Sequence, residues 1–171
     1  MQEIGVDPAT IKTVNDLTAV FEKVKAKYPD MIPLAPVNTG VSGLIQSIYG
    51  IDYLGDDYYS PKGVLVGDSL TVVDFYQTQE FKDAINLARE WYNKGLIMKD
   101  AATSTSTALE LLTSGKAFSY IASYSGNQAY VQISAQSGQD IRMLRVAQPY
   151  LGTSSVNALT HVVASTSKYP E

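Results

Sequence analysis

The residues best suited to bind a ligand stand in one short turn, Ser123-Tyr124-Ser125-Gly126. This turn offers hydroxyl groups, an aromatic face and bare glycine backbone. Residues 117–122 before it are apolar except for Ser119 and the Tyr120 hydroxyl. This composition is expected for a strand in a sheet core. Because ligands of open α/β sheets bind in the crevice beyond the carboxyl ends of the strands, the turn is predicted to line a binding cleft.

Two further polar turns have a similar make-up. Asn38 and Thr39 lie between a short predicted strand at residues 32–35 and a predicted helix at residues 41–49, where free backbone N–H groups are expected. These two residues are either ligand donors or plain caps of that helix. A second polar-aromatic loop at residues 148–155 includes Tyr150 and Thr153.

Residues for catalysis are sparse. His161 is the single histidine, and it stands in the strand-like segment Leu-Thr-His-Val-Val. Its side chain is expected to point into solvent or to form a structural hydrogen bond rather than to take part in catalysis. A serine hydrolase would have to use His161, but the sequence contains no Gly-x-Ser-x-Gly elbow. Glycine-rich nucleotide loops are absent too, and Asp56-Asp57 lacks the spacing of a calcium loop. Binding is therefore favoured, and a hydrolase that uses a serine with His161 is the enzyme alternative.

The composition indicates one acidic globular domain. The chain has 171 residues, of which 45% are hydrophobic, and a formal net charge of −4. It shows no Lys/Arg run of the kind that binds nucleic acid, and without cysteine it has no disulfide or thiolate metal site. Twelve tyrosines against four phenylalanines indicate either a wet surface or partner interface, or a site for a sugar or other polar ring.

The two ends of the sequence bear on where the protein acts. The start, Met1-Gln2-Glu3, has no basic region and no apolar core of a signal peptide, and no apolar run approaches the length of a membrane span. The protein is accordingly expected to be either cytoplasmic or a piece of a longer chain. Residues 167–171 resemble the opening of a helix with Pro170 in its first turn, which favours the second interpretation.

Hydrophobic periodicity and chain-breaking residues predict the elements that position these turns. Helices are expected at residues 17–28, 41–49, 78–94, 108–114 and 127–136. Strands are expected at residues 32–35, 64–66, 70–73, 117–122, 141–147 and 159–164, with a hairpin joining 64–66 to 70–73. Thr107 and Glu110 have the spacing of a capping box. Trp91, the single tryptophan, falls in an apolar stripe and is expected to anchor the core.

Four segments carry a resemblance to a known family. Residues 5–17 match its Gly-x-x-Pro…Thr-Trp-x-x-Leu pattern, with Val14 in place of the Trp. Residues 80–97 match Glu-Tyr-Lys…Trp-Tyr-x-x-Gly-Leu-Ile, residues 114–117 match x-Gly-Lys-Ala, and residues 167–171 match Ser-Lys-x-Pro-Glu. Taken in this order, the segments resemble the extracellular solute-binding proteins (family 1, carbohydrate-type) of bacterial ABC importers, especially the lipoprotein-type members of Gram-positive gut bacteria.

The resemblance implies an α/β fold, one lobe of a type II periplasmic-binding-protein-like fold with a central mixed sheet flanked by helices. Residues 1–171 would be a single domain, the second lobe of a two-lobe receptor, without the first lobe and the C-terminal helices. Such a receptor binds an oligosaccharide or sugar by hinge closure and delivers it to the permease subunits. It would be no enzyme, would use no cofactor or metal, and would be lipid-anchored to the outer face of the cell membrane.

By the same resemblance, ligand contacts follow the strand after the Gly-Lys-Ala turn, at Tyr120, Tyr124 and Ser125. The two other polar turns complete this wall of the cleft, with Asn38, Thr39, Tyr150 and Thr153. These loops contain no Trp, in contrast to the family's usual sugar-stacking residues. The alternatives are a receptor for peptides or other polar solutes and a protein-interaction module that uses Tyr58 or Tyr59.

Overall fold

The computed structural model describes residues 1–35, 49–54, 62–101, 103–121, 127–147 and 152–153. These contain four α-helices: α1 (Leu17–Lys27), α2 (Gln79–Asn93), α3 (Ala108–Thr113) and α4 (Asn127–Ser137). They also contain five short strands: β1 (Ile32–Leu34), β2 (Ile51–Asp52), β3 (Gly63–Val66), β4 (Val73–Asp74) and β5 (Ala117–Ser119). The predicted α/β class is confirmed. Residues 41–48 of the predicted helix 41–49, and the predicted strand 159–164, lie outside the described residues.

The strands form one parallel and one antiparallel sheet within this part of the chain. β1 pairs in parallel with β5, with Ile32 opposite Ala117 and Leu34 opposite Ser119. On the other side of β1, Leu34 forms a parallel bridge with Ile97. The second sheet has the order β2-β3-β4 with antiparallel neighbours. Both strand orientations expected of a mixed α/β lobe are therefore present, each in its own sheet.

The main core lies between α1, α2 and β1. The stripe predicted on α1 is buried, with Val20, Phe21 and Val24 each at most 3% exposed. The Trp91 ring is fully buried and meets the Phe21 ring edge-on, with 5.3 Å between the ring centroids. Trp91 Nε1 donates a hydrogen bond to Thr18 Oγ1 at 2.8 Å. The prediction that Trp91 anchors the core is confirmed.

A second core supports the antiparallel sheet. Phe75 is fully buried and packs with other buried side chains from β2, β3 and α2, namely Ile51, Tyr53, Val64 and Ala84. The Phe75 ring meets the rings of Tyr53 and Phe81 edge-on, at centroid distances of 5.8 and 5.2 Å. Tyr53, in the turn just after β2, is 2% exposed. Its ring is buried because β2, which precedes it, joins the sheet.

The ends of α2 and α3 are stabilised by residues close to them in the sequence. Thr78 Oγ1 accepts a hydrogen bond from Phe81 N at 3.1 Å at the start of α2, and Gly95 adopts a left-handed φ of 67° just after its end. The predicted capping box of α3 is confirmed: Glu110 N donates to Thr107 Oγ1 at 3.2 Å and Thr107 N donates to Glu110 Oε2 at 2.8 Å. α3 leads through a tight turn into β5, so this cap helps to set where β5 starts.

Replacing Thr107 with alanine should lower the free energy of unfolding by about 1 kcal/mol, because an N-cap hydroxyl satisfies an otherwise unpaired helix N–H. Urea unfolding followed by circular dichroism measures the change. The neighbouring exposed Ser106 is a matched control, and Ser106→Ala should stay within about 0.5 kcal/mol of the parent. Equal losses in the two variants would contradict a capping role.

Two predicted strand segments are wrong. Leu70 is 91% exposed and the second hairpin strand begins only at Val73, so the loop between β3 and β4 is longer than expected. Residues 141–147 alternate in polarity but form no strand. Ser134 Oγ instead accepts from Ile141 N at 3.0 Å, while Leu144 and Val146 pack on the main core. Alternation alone does not supply a partner strand.

Candidate functional site

The carboxyl ends of β1 and β5 lie side by side because the two strands are parallel. Ala35 N, just past β1, donates to Ser119 O at 2.8 Å, and Ser119 Oγ donates to Pro33 O at 2.8 Å. Tyr120 follows β5 directly. Its partly buried side chain packs against a cluster at this edge formed by Ala35, Leu111 and Ala117. The predicted contact Tyr120 is thus found at the strand edge where a cleft was expected.

Of the seven predicted ligand contacts, Tyr120 and Thr153 belong to the described residues. The other five lie outside them, namely Asn38, Thr39, Tyr124, Ser125 and Tyr150. In the sequence, the first two follow β1 and the next two follow β5. Their roles remain predictions, and the described strands fix only the edge from which their loops depart.

Thr153 is bound to a residue that sequence reasoning missed. Thr153 Oγ1 donates to Asp52 Oδ1 at 2.7 Å and Thr153 N donates to Asp52 Oδ2 at 2.8 Å. Asp52 ends β2, and its Oδ1 also accepts from Leu54 N at 2.9 Å. Leu54 has a left-handed φ of 55°, which is uncommon for a leucine. One carboxylate therefore holds both the turn after β2 and the backbone at Thr153.

The electrostatic state of Asp52 follows from these contacts. Partial burial by itself would raise the pKa of its carboxyl group. The hydrogen bonds from the Thr153 hydroxyl, Thr153 N and Leu54 N outweigh burial and lower the pKa below its ordinary value of 3.8. Asp52 is therefore a carboxylate at neutral pH and acts only as an acceptor. Thr153 is exposed as a residue.

The sequence carried only part of the signal for Asp52. An aspartate two residues before a turn commonly accepts from that turn's backbone N–H, which would have indicated the contact to Leu54. The contact to Thr153 joins residues 101 positions apart. Local sequence patterns do not predict contacts between residues that are so far apart in the chain.

Two open cavities in the described part lie away from the predicted contacts. One, of about 470 Å³, is lined by residues of the antiparallel sheet and the start of α2: Val66, Val73, Asp74, Gln77, Thr78 and Glu80. The other, of about 370 Å³, lies at the amino end of β1 beside Ile32, Gly95 and Lys99, at the opposite edge from Tyr120. Neither combines an aromatic ring with converging polar groups, as a sugar site would require.

The described residues contain no group of three His, Cys, Asp or Glu side chains placed to hold a metal ion. None of the described helices has the length and apolarity needed to cross a bilayer.

Comparison with known proteins gives consistent matches. A family model described as bacterial extracellular solute-binding protein matches residues 2–171. A carbohydrate ABC transporter substrate-binding protein of Streptococcus pneumoniae serotype 4 is 28% identical over 109 residues, which are 61% of this chain and 20% of that protein. The chain thus spans about a fifth of this curated relative.

Solved structures show the same fold. The crystal structure of the N-glycan transport solute binding protein NgtS from Streptococcus pneumoniae matches with a TM-score of 0.62 and 22% identity. The match covers 85% of this chain and 31% of NgtS. The structure of NgtS in complex with Man5GlcNAc gives a TM-score of 0.62, 23% identity and coverages of 86% and 31%. The mixed α/β architecture is thus that of a solute-binding protein, over about a third of the length of NgtS.

Proposed function

The chain belongs to the bacterial extracellular solute-binding protein family, and we propose that it is the second lobe of the substrate-binding component of an ABC transporter. The full-length receptor binds an oligosaccharide or sugar between two lobes, closes around it by a hinge motion and delivers it to the permease subunits. It catalyses no reaction. It acts outside the cytoplasm, and a lipid anchor holds it at the outer face of the cell membrane.

The observation that carries this proposal is the parallel pairing of β1 with β5. Asn38 comes three residues after Ala35, and Tyr124 comes three residues after Ile121. In the sequence, both polar turns therefore come directly after the strand edge occupied by Tyr120. Two polar turns that follow neighbouring strands at the same sheet edge support a shared binding wall.

A sugar suits these residue types better than a charged solute. Tyrosine offers a flat apolar face to a pyranose ring and a hydroxyl to its polar rim, and the Asn, Thr and Ser side chains supply both donors and acceptors. The seven predicted contacts include no charged side chain. The curated relative is a carbohydrate receptor, and NgtS was crystallised with Man1GlcNAc and with Man5GlcNAc. Both relatives support an oligosaccharide.

Calorimetry of the full-length receptor tests this function. Man5GlcNAc, shorter glycans, peptides and amino acids are titrated in turn, and we expect heat of binding with glycans only. Tyr124→Ala should weaken the affinity about thirtyfold, because a buried aromatic anchor at an interface contributes roughly 2 kcal/mol. Tyr92→Ala removes a half-exposed ring on α2 and should leave the affinity unchanged.

Other outcomes decide between the alternatives. Tight binding only to peptides or amino acids would overturn the sugar assignment while keeping a transport receptor. Absence of binding to every solute, together with capture of a protein partner that is lost in Tyr58→Ala or Tyr59→Ala, would replace the receptor by an interaction module.

A further inference from the structure

The contact between Asp52 and Thr153 has a consequence for ligand recognition. We propose that Asp52 is a positioning residue of the ligand site: it fixes Thr153 and turns its hydroxyl so that the hydroxyl oxygen accepts a hydrogen bond from a donor group of the ligand, such as a sugar hydroxyl. The inference rests on the proposed function, because it assigns a polarity to one contact of that site.

The geometry restricts Thr153 in two independent ways. Its backbone N–H is held by Asp52 Oδ2 at 2.8 Å, and its hydroxyl is held by Asp52 Oδ1 at 2.7 Å. The first bond fixes the main chain and the second fixes the side-chain rotamer. A carboxylate can only accept hydrogen bonds, so the Thr153 hydroxyl donates its single proton to Asp52. The lone pairs of Thr153 Oγ1 are what a ligand can meet.

The anchor is itself well held. Asp52 follows Ile51, which is 1% exposed and pairs with Val66 in the antiparallel sheet. Leu54 N donates to the same carboxylate at 2.9 Å. Asp52 therefore holds Thr153 in a fixed position relative to the packed antiparallel sheet. A hydroxyl that donates to a charged acceptor also becomes a stronger acceptor itself, which strengthens its bond to a ligand donor.

The first measurement needs no ligand. Hydrogen exchange of the Thr153 amide is followed by NMR in the 171-residue chain. Asp52→Ala should raise its exchange rate about tenfold or more, since bonds to charged groups are among the stronger ones. Asp7→Ala is the matched control: Asp7 Oδ1 accepts from Ala9 N at 2.9 Å in a local turn, and its loss should not change exchange at Thr153. An unchanged rate in Asp52→Ala would overturn the inference.

The second measurement is the affinity of the full-length receptor for Man5GlcNAc. Asp52→Ala and Thr153→Val should each weaken it about tenfold, and the double variant should lose little more, because the two residues act as one unit. Thr153→Ser keeps the hydroxyl and should bind like the parent. All variants should keep the parent's melting temperature within a few degrees, which separates positioning from general loss of structure.

The two proposals fail in different ways. If Asp52→Ala frees the Thr153 amide while glycan affinity stays at the parental value, Asp52 is merely structural and the inference is wrong, although the receptor function stands. If the parent binds no glycan at all, the proposed function fails, and the inference fails with it because no donor group remains for Thr153 to accept from. Should Asp52→Ala not fold, Thr153→Val against Thr153→Ser decides the point.

Discussion

Trp91→Ala is expected to lower the free energy of unfolding by about 3–5 kcal/mol. The Trp91 ring is fully buried among α1, α2 and β1 and stacks edge-on with Phe21. Alanine would leave a cavity that the surrounding helices can fill only in part, and Thr18 Oγ1 would lose its indole donor. Urea unfolding followed by circular dichroism suits the measurement because the variant has no tryptophan fluorescence.

Matched variants separate the contributions at this position. Trp91→Phe keeps much of the packing and removes the N–H donor. Its free energy of unfolding should therefore lie between the values of the parent and of Trp91→Ala. Tyr92→Ala removes the next side chain on α2, which is 48% exposed, and should cost less than about 1 kcal/mol. A loss below 1 kcal/mol for Trp91→Ala would contradict its place at the centre of the core.

Elements whose causes are local were predictable from the sequence. The apolar stripe of α1, the hydroxyl cap at Thr78 and the capping box at Thr107 each depend on residues within about two helical turns. Gly95 directly follows the predicted helix 78–94, where a residue that tolerates positive φ is favoured. The same local logic placed β1 and β5, and hence the strand edge that carries Tyr120.

Features that depend on distant partners were not predictable. β2 has one apolar residue and gains strand structure only by pairing with β3. Residues 141–147 have a strand pattern without a strand, and Leu144 and Val146 pack on the main core instead. Of the three leucines in α3, Leu109 is 44% exposed, whereas Leu111 and Leu112 are buried. In a six-residue helix, periodicity does not determine which face meets the core.

The candidate site combines the two cases. The order of polar turns along the chain and the parallel strands predict one edge, since parallel strands end on the same side. Asp52 could not be assigned, because its importance comes from a loop 101 residues away. The proposed binding wall would thus depend on the antiparallel sheet as well as on its own loops.

Phe75→Ala is expected to cost about 3–5 kcal/mol of unfolding free energy. The Phe75 side chain is fully buried beneath β2 and β3 and meets three aromatic rings, those of Tyr53, Tyr76 and Phe81. Its removal would open a cavity under the antiparallel sheet. Leu70→Ala is the control, because Leu70 is 91% exposed on the same hairpin and should change stability by no more than about 0.5 kcal/mol.

Phe75→Ala also distinguishes the two cores by their effect on the contact between Asp52 and Thr153. Phe75 packs beneath Ile51 and Tyr53, the neighbours of Asp52, so a looser sheet should let Asp52 shift and release Thr153. At a temperature where both variants remain folded, Phe75→Ala should therefore raise amide exchange at Thr153 more than Trp91→Ala does, although their global costs are similar. Equal exchange at Thr153 in the two variants would show that the second core does not support the Asp52 contact.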